Sequence, residues 1–394
     1  MKKILFIIHF GNINKSSGII SKIINQSIAM HNLGIHYKTY ILYKESEKND
    51  VANFKYPEYV EFIPLGFYKK EKSLIKNYII IQKIYFEYIK ICEKNKNNYD
   101  YIYVRMNPIY YGFLKFIHKY KGKLIFEHNS MEKDEYRANK AFYKVLKCNI
   151  FDKMIRKKAF GYVCVTKEIY DYQKKLYKNN KGIIITNGID VDSYKIKKTT
   201  KFDGKNLNMI FVGNIRYWHG LERILIPLSK YDKDLKITFN ICGLVNQDDD
   251  YITPLVNNAN KNKNVKVNML GYKNKDELDK YFDEAHIAIG TLGCYKKNIT
   301  HASVLKNREY FSRGIPIIFS EIDDDICVKE NTGLYLKVPN DSSEINIDNI
   351  VAFVKKFSEN NTENIEKIRS FAKKELDYNG KMIKLEELIN EKNK

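Results

Sequence analysis

The sequence predicts an α/β protein made of two doubly wound β-α-β domains in tandem. Three observations carry this. Short apolar runs of strand length alternate with longer segments of helical period, and the alternation starts twice. It breaks once, at 195–207, which is Lys-rich and poor in apolar residues. At 394 residues the chain is also too long for one ordinary core. The expected division is a first domain at 1–194, a linker at 195–207, a second domain at 208–376 and a C-terminal helix at 377–394. Two such sheets facing across a cleft would put their C-terminal strand ends around one site.

The run at 3–8 reads as a first strand, not a signal peptide, because its apolar stretch is short and leads to His9, Gly11 and Asn12. A glycine-containing loop follows at 11–18. Ile20, Ile23, Ile24 and Ile28 then mark a helix over 19–33 that Gly34 closes. Strands are expected at 36–43 and 60–64, and a long amphipathic helix at 73–94. A strand at 101–105 precedes a helix at 109–119, and a strand at 123–127 delivers Glu127-His128-Asn129-Ser130 to its end. A basic helix over 140–159, a strand at 161–165, a helix at 168–177 and a strand at 182–186 lead to Asn187-Gly188-Ile189-Asp190. After the linker come a strand at 209–212, a loop at 213–220 and a helix at 221–229. Strands at 235–241 and 265–270, a helix at 275–281 and a strand at 287–290 lead into residues 299–320. There a polar loop precedes a helix over 304–313, Gly314 and Pro316 stop it, and 315–319 is short and apolar enough for a buried parallel strand. A strand at 333–338 and helices at 343–360, 363–374 and 381–394 complete the chain.

Composition narrows the function. Six cysteines without C-x-x-C spacing and eight histidines without a ligand pair argue against zinc and disulfides and fit a reducing cytoplasm. The net charge of +21 comes from 68 Lys+Arg against 47 Asp+Glu. Bias toward Lys, Asn, Ile and Tyr, an anionic membrane surface and nucleic acid all account for it. No nucleic-acid motif is present, so nucleic acid is not expected as a partner. Residues 69–94 mix Lys69, Lys70, Lys72, Lys76, Lys83 and Lys90 with Ile79, Ile80, Ile81, Tyr85 and Phe86. That mixture suits either a membrane-surface helix or a core-facing helix with a basic outer face.

The chemistry concentrates at two places in the second domain. Phe211-Val212-Gly213-Asn214-Ile215-Arg216-Tyr217-Trp218-His219-Gly220 is a strand, a glycine turn and a cationic loop before a helix, which suits a phosphate. Leu305-Lys306-Asn307-Arg308-Glu309-Tyr310 with Gly314-Ile315-Pro316 is the other. Together with Asn187-Gly188-Ile189-Asp190 and the order of elements, these stretches resemble retaining glycosyltransferases of the GT-B type, most like family 4, over nearly the whole chain.

The resemblance implies two Rossmann-like domains and a C-terminal helix crossing back to the first. It implies a nucleotide-sugar donor on the second domain, a glycan or lipid-linked glycan acceptor on the first, and a part in cell-surface polysaccharide synthesis. No metal and no other cofactor are expected. The implied place of work is the cytoplasm, including the inner face of the membrane as a peripheral protein. Glu309 falls on the carboxylate that accepts hydrogen bonds from ribose hydroxyls. Arg216 and Lys306 would share the diphosphate, with His128 touching the donor sugar. Gly18, Gly213, Asn214, His219, His301, Ser303 and Leu305 complete the donor side, and Arg105 lies on the acceptor side. Two positions depart from the family. His301 replaces a glutamate eight residues before Glu309, and His219 replaces a lysine before the loop glycine. These keep alive a non-catalytic partner subunit as a rival reading; a GT-B-fold nucleotide-sugar epimerase is the other rival, which Asn187-Gly188-Ile189-Asp190 and Lys306-x-x-Glu309-Tyr310 fit worse. The run Asp323-Asp324-Asp325 reads as a surface turn.

Overall fold

The computed structural model describes residues 1–69, 73–177, 181–245 and 250–391. Lys70, Lys72 and the last three residues of the expected C-terminal helix lie outside them. The chain forms two compact units, Met1–Thr186 with Tyr378–Lys394, and Asn187–Asp377.

The first unit is built on β1 (Ile4–His9), β2 (His36–Lys44), β3 (Val60–Leu65), β4 (Tyr101–Arg105), β5 (Leu124–His128), β6 (Gly161–Cys164) and β7 (Lys181–Ile184). They pair in the order β3-β2-β1-β4-β5-β6-β7, all parallel. Leu5 to Ile8 are buried without alternation, as a strand covered on both faces requires. The helices are α1 (Ser17–Asn32), α2 (Lys48–Val51), α3 (Leu74–Lys94), α4 (Tyr111–Lys119), α5 (Glu132–Ala138), α6 (Phe142–Lys157) and α7 (Lys167–Tyr177). On one sheet face α3 and α4 bury Tyr85, Tyr88, Phe113 and Phe116. The long α3 is divided: Ile84, Tyr85, Tyr88 and Cys92 face the core, while Ile75, Tyr78 and Ile79 near its start face solvent. The short α5 has no apolar period to reveal it. Its first turn holds Glu132, Asp134 and Glu135, which suit the positive end of a helix.

The second unit has β8 (Asn206–Val212), β9 (Lys236–Cys242), β10 (Val265–Gly271), β11 (Ile287–Ile289), β12 (Ile317–Phe319) and β13 (Tyr335–Lys337) in the parallel order β10-β9-β8-β11-β12-β13. Its helices are α8 (Glu222–Ser229), α9 (Ile252–Ala259), α10 (Lys275–Glu284), α11 (Leu305–Ser312), α12 (Ile347–Glu359) and α13 (Asn361–Phe371). The sequence reading lacks α9, whose Pro254 sits in the first turn, where the missing N–H costs no helical hydrogen bond. At the end of α11, Gly314 takes a left-handed φ of +76°. Its N–H donates to the Phe311 carbonyl and that of Ile315 to Tyr310, the double bond of a glycine-capped helix end.

The expected linker at 195–207 is fastened to the second unit. Lys197 N–H donates to the Arg313 carbonyl at 2.8 Å, Lys198 N–H to Asp283 at 2.9 Å, and Phe202 enters the core. Low apolar content hid a segment held by backbone hydrogen bonds. The chain changes unit instead at 186/187 and at 377/378. After the second point, α14 (Tyr378–Asn390) packs against α1, with Met382, Leu385 and Ile389 in one cluster with Ile20, Ile23 and Ile24. The C-terminal helix therefore belongs to the first unit.

Candidate functional site

In the second unit the strand order reverses between β8 and β11, so the crevice beyond their C-terminal ends is where an open α/β sheet takes a ligand. Tyr310 of α11 is fully buried and bridges this point. Its hydroxyl accepts from Val212 N–H at 2.9 Å and donates to the Ile289 carbonyl at 3.2 Å. That fixes the first turn of α11 beside the Gly213 loop.

Lys306 is aimed into this place. Its ammonium is buried, has no hydrogen-bond partner among the described residues, and lies 3.8 Å from the centre of the Phe211 ring. A methyl group built on Gly213 would stand 3.4 Å from Lys306 Nζ. Burial pushes the ammonium down to about 7, against the opposing pull of Glu321 and Cys294. The first amides of α11, at Leu305 and Lys306, point the same way by helix geometry.

The neighbouring loop is shaped by His219. This ring is buried, and its Nδ1 accepts from Arg216 N–H at 3.2 Å. Burial, then Lys306, Lys297 and Arg216, push its pKa well below the usual value, so it enters as a neutral ring that holds the turn. Lys306, Lys297 and Arg216 are the cations around it. Asn214 is exposed, with its side-chain oxygen 3.4 Å from Leu244 N–H. The loop closes at Gly220, φ +68°, where an added Cβ would lie 2.6 Å from Gly293 N. Gly220→Ala is therefore expected to destabilise the second unit by at least about 2 kcal/mol, from left-handed strain plus backbone displacement. Thermal melting followed by the fluorescence of Trp218, the single tryptophan, measures it; an unchanged midpoint would show that the loop yields freely.

The rest of α11 is held by a polar lattice. Asn187 N–H donates to Ser303 Oγ at 2.7 Å, and Arg308 Nε donates to the Asn187 carbonyl at 2.8 Å. The Asn-Gly-Ile-Asp stretch and the α11 stretch are thus one assembly. Arg308, fully buried, ion-pairs with Asp323 and reaches Asp325 at 2.6 Å. This corrects the reading of Asp323-Asp324-Asp325 as a surface turn: Asp323 has no exposure, because a buried guanidinium fifteen residues earlier needs it. His301 is half-buried with Nδ1 2.7 Å from Asp324. Glu309 stands one turn after Lys306 and accepts from Arg313 Nε at 3.1 Å. Burial raises its pKa, and Arg313 opposes that.

Beneath Lys306 lies a group the sequence reading lacks. Glu321 is fully buried and accepts from Asn307 Nδ2 at 2.9 Å, with Cys294 Sγ at 3.9 Å. Burial pushes its carboxyl up to about 7. A lone Glu two residues after a short strand carries no signal in the sequence, and the polar α11 offers none either.

In the first unit the order reverses between β1 and β4, and Arg105 ends β4 at that point. Lys22 and Glu127 form a buried ion pair of 3.0 Å close by. Burial would raise the Glu127 carboxyl, but Lys22 and Arg105 bring it down to about 2. Gly18 is exposed in the first turn of α1. His128 is corrected: it is fully buried, with Nδ1 against Glu132 and Nε2 2.8 Å from the Tyr177 hydroxyl. Both ring nitrogens are taken, so it holds β5 to α5 and α7 and touches no sugar. Among the described residues no group of three or more His, Cys, Asp or Glu side chains is placed to hold a metal ion, and no helix is long and apolar enough to cross a membrane.

No family profile matches the sequence, and no curated protein matches it. Solved structures do match. Sucrose-phosphate synthase from Thermosynechococcus elongatus is similar over 99% of this chain and 98% of its own, with 12% identity and a TM-score of 0.69. HepE from Anabaena, crystallised with UDP and glucose, covers 100% of both chains at 12% identity and a TM-score of 0.62. WaaG, a glycosyltransferase involved in lipopolysaccharide biosynthesis, covers 99% of this chain and 100% of its own at 12% identity and a TM-score of 0.60. The fold is GT-B. Both Rossmann-like domains of this GT-B chain carry polar side chains at their switch points, and the second also carries a buried ammonium without a hydrogen-bond partner among the described residues.

Proposed function

We propose that this chain is a glycosyltransferase that moves a sugar from a nucleotide-sugar to a glycan or lipid-linked glycan, with retention, in cell-surface polysaccharide synthesis. The observation that carries the reading is Lys306, a buried cation without a hydrogen-bond partner among the described residues, beside a glycine turn at the switch point. A diphosphate supplies the anion such a group calls for. The neighbours support it: HepE was crystallised with UDP-glucose, and WaaG acts in lipopolysaccharide synthesis.

In this reading Lys306, Arg216 and the first amides of α11 take the diphosphate. Asn214, Ser303 and His301 line the donor side, and Glu309 accepts the ribose hydroxyls. Arg105 and the Gly18 turn serve the first domain. The bond from the anomeric carbon to the phosphate oxygen breaks as the acceptor oxygen bonds on the same face, and the acceptor proton passes to the departing phosphate. Rate comes from stabilising that leaving group and from holding the reactants together.

A panel of uridine and guanosine diphosphate sugars, scored for binding and for nucleoside diphosphate release, tests the reading. Glu309→Gln is expected to weaken donor binding about tenfold or more. Interconversion of the sugar without release would instead identify an epimerase. No binding to any donor, with Glu309→Gln indistinguishable from the wild type, would leave a non-catalytic subunit.

A further inference from the structure

The outer face of α6 inverts the ordinary pattern of a surface helix. Phe142, Leu146 and Ile150 are 70%, 59% and 60% exposed and recur one turn apart, with Tyr143 and Met154 beside them. The opposite face buries Cys148, Asp152, Ile155 and Arg156. Isolated apolar residues on a surface need no explanation, but a continuous exposed stripe does. The stripe continues onto α3 and α4. Tyr78 and Tyr110 lie 5.9 Å apart between ring centres, and Lys147 of α6 sits 4.9 Å from Tyr110 and 5.9 Å from Tyr78. Beyond Tyr78, Ile75 is 74% exposed.

Charge identifies the occupant. Residues 73–86, 111–119 and 142–157 supply this surface, and their only carboxylate is Asp152; Glu87 of α3 and Asp134 and Glu135 of α5 stand at its borders. Asp152 is buried and paired with Arg156 at 2.8 Å. The same segments carry Lys76, Lys83, Lys115, Lys144, Lys147 and Lys153. We propose that this face of the first unit docks on an anionic lipid bilayer. Apolar side chains in the middle reach the acyl boundary, tyrosines sit at headgroup level, and lysines around them meet the phosphates. A second copy of the chain would bring the same lysines face to face, which opposes self-association. The proposal stands apart from the transfer reaction, and its test needs no donor.

The full-length protein is sedimented with vesicles of phosphatidylcholine alone and of phosphatidylcholine with phosphatidylglycerol, at low and at higher salt. Binding is expected to the anionic vesicles only, and to weaken with salt. Leu146→Ser combined with Ile150→Ser is expected to weaken it on the order of tenfold or more. Lys115→Glu with Lys153→Glu, a second variant on exposed positions, is expected to do the same at low salt, with the melting temperature kept. Absence of binding, or binding that neither variant weakens, overturns the proposal. So does a dimer in solution that the Leu146 and Ile150 substitutions dissolve, which would assign the face to a second copy.

Discussion

Arg308→Met is expected to destabilise the second domain by about 3–5 kcal/mol, the cost of breaking a buried ion pair on one side. The guanidinium and Asp323 are both without exposure, and the same group reaches Asp325 and the Asn187 carbonyl. Methionine fills the volume and takes the guanidinium away from the buried Asp323, whose Oδ1 keeps the weaker backbone donors of Asp325 and Ile326. The loss has a pH signature. Burial already raises the Asp323 carboxyl, and Arg308 holds it down. Without Arg308 the folded-state pKa rises further above the unfolded value. Its contribution is then most favourable at acid pH and is lost as pH rises through the new value. The deficit against wild type is therefore larger at neutral pH than in mild acid. Urea unfolding followed by Trp218 reads both. Adding Asp323→Asn is expected to recover part of the loss, because the orphaned charge goes with it. A single variant within about 1 kcal/mol of wild type at neutral pH would show that water reaches the pair and that it does not anchor α11.

Arg308 also shows what the sequence hides. The strand-helix alternation, the helix stop at Gly314 and the buried run after it are local patterns, and the two-domain GT-B order follows from them. Asp323 is different. Its partner lies fifteen residues upstream on another element, so three consecutive aspartates look like a solvated turn until the fold brings α11 against them. His128 fails for the same reason, since a strand-end position fits a ligand contact and a buried fastener equally well. The segment after Asn187 has no period at all, yet its backbone amides are bonded into the second domain. Periodicity reports burial of side chains, and it is silent about segments held by their main chain and about charges that are buried in pairs.

Lys306→Met is expected to lower the turnover of a nucleotide-sugar by about 10²–10³, the usual loss when one preorganised group facing a developing charge is removed. The ammonium is the buried cation at the β8–β11 switch point, 3.8 Å from the centre of the Phe211 ring. Its environment adds a second readout. Burial lowers Lys306 to about 7, and burial raises Glu321, the carboxyl beneath it, to about 7. In the empty site the two groups titrate together near neutrality. A bound diphosphate favours the charged lysine, so binding takes up a proton when the pH is above that range. Affinity for a nucleoside diphosphate should therefore fall as pH rises above about 7, a range in which the terminal phosphate, whose second pKa is about 6, is already ionised and adds no slope of its own. Lys306→Arg keeps its charge at every pH used, so the fall should flatten, with turnover partly retained because the bulkier fork must fit beside Gly213. A structural role alone would lower the melting temperature without moving this profile. Nucleoside diphosphate affinity that is unchanged in Lys306→Met, with the wild-type pH profile intact, would remove Lys306 from the diphosphate site and return its buried charge to the account of folding.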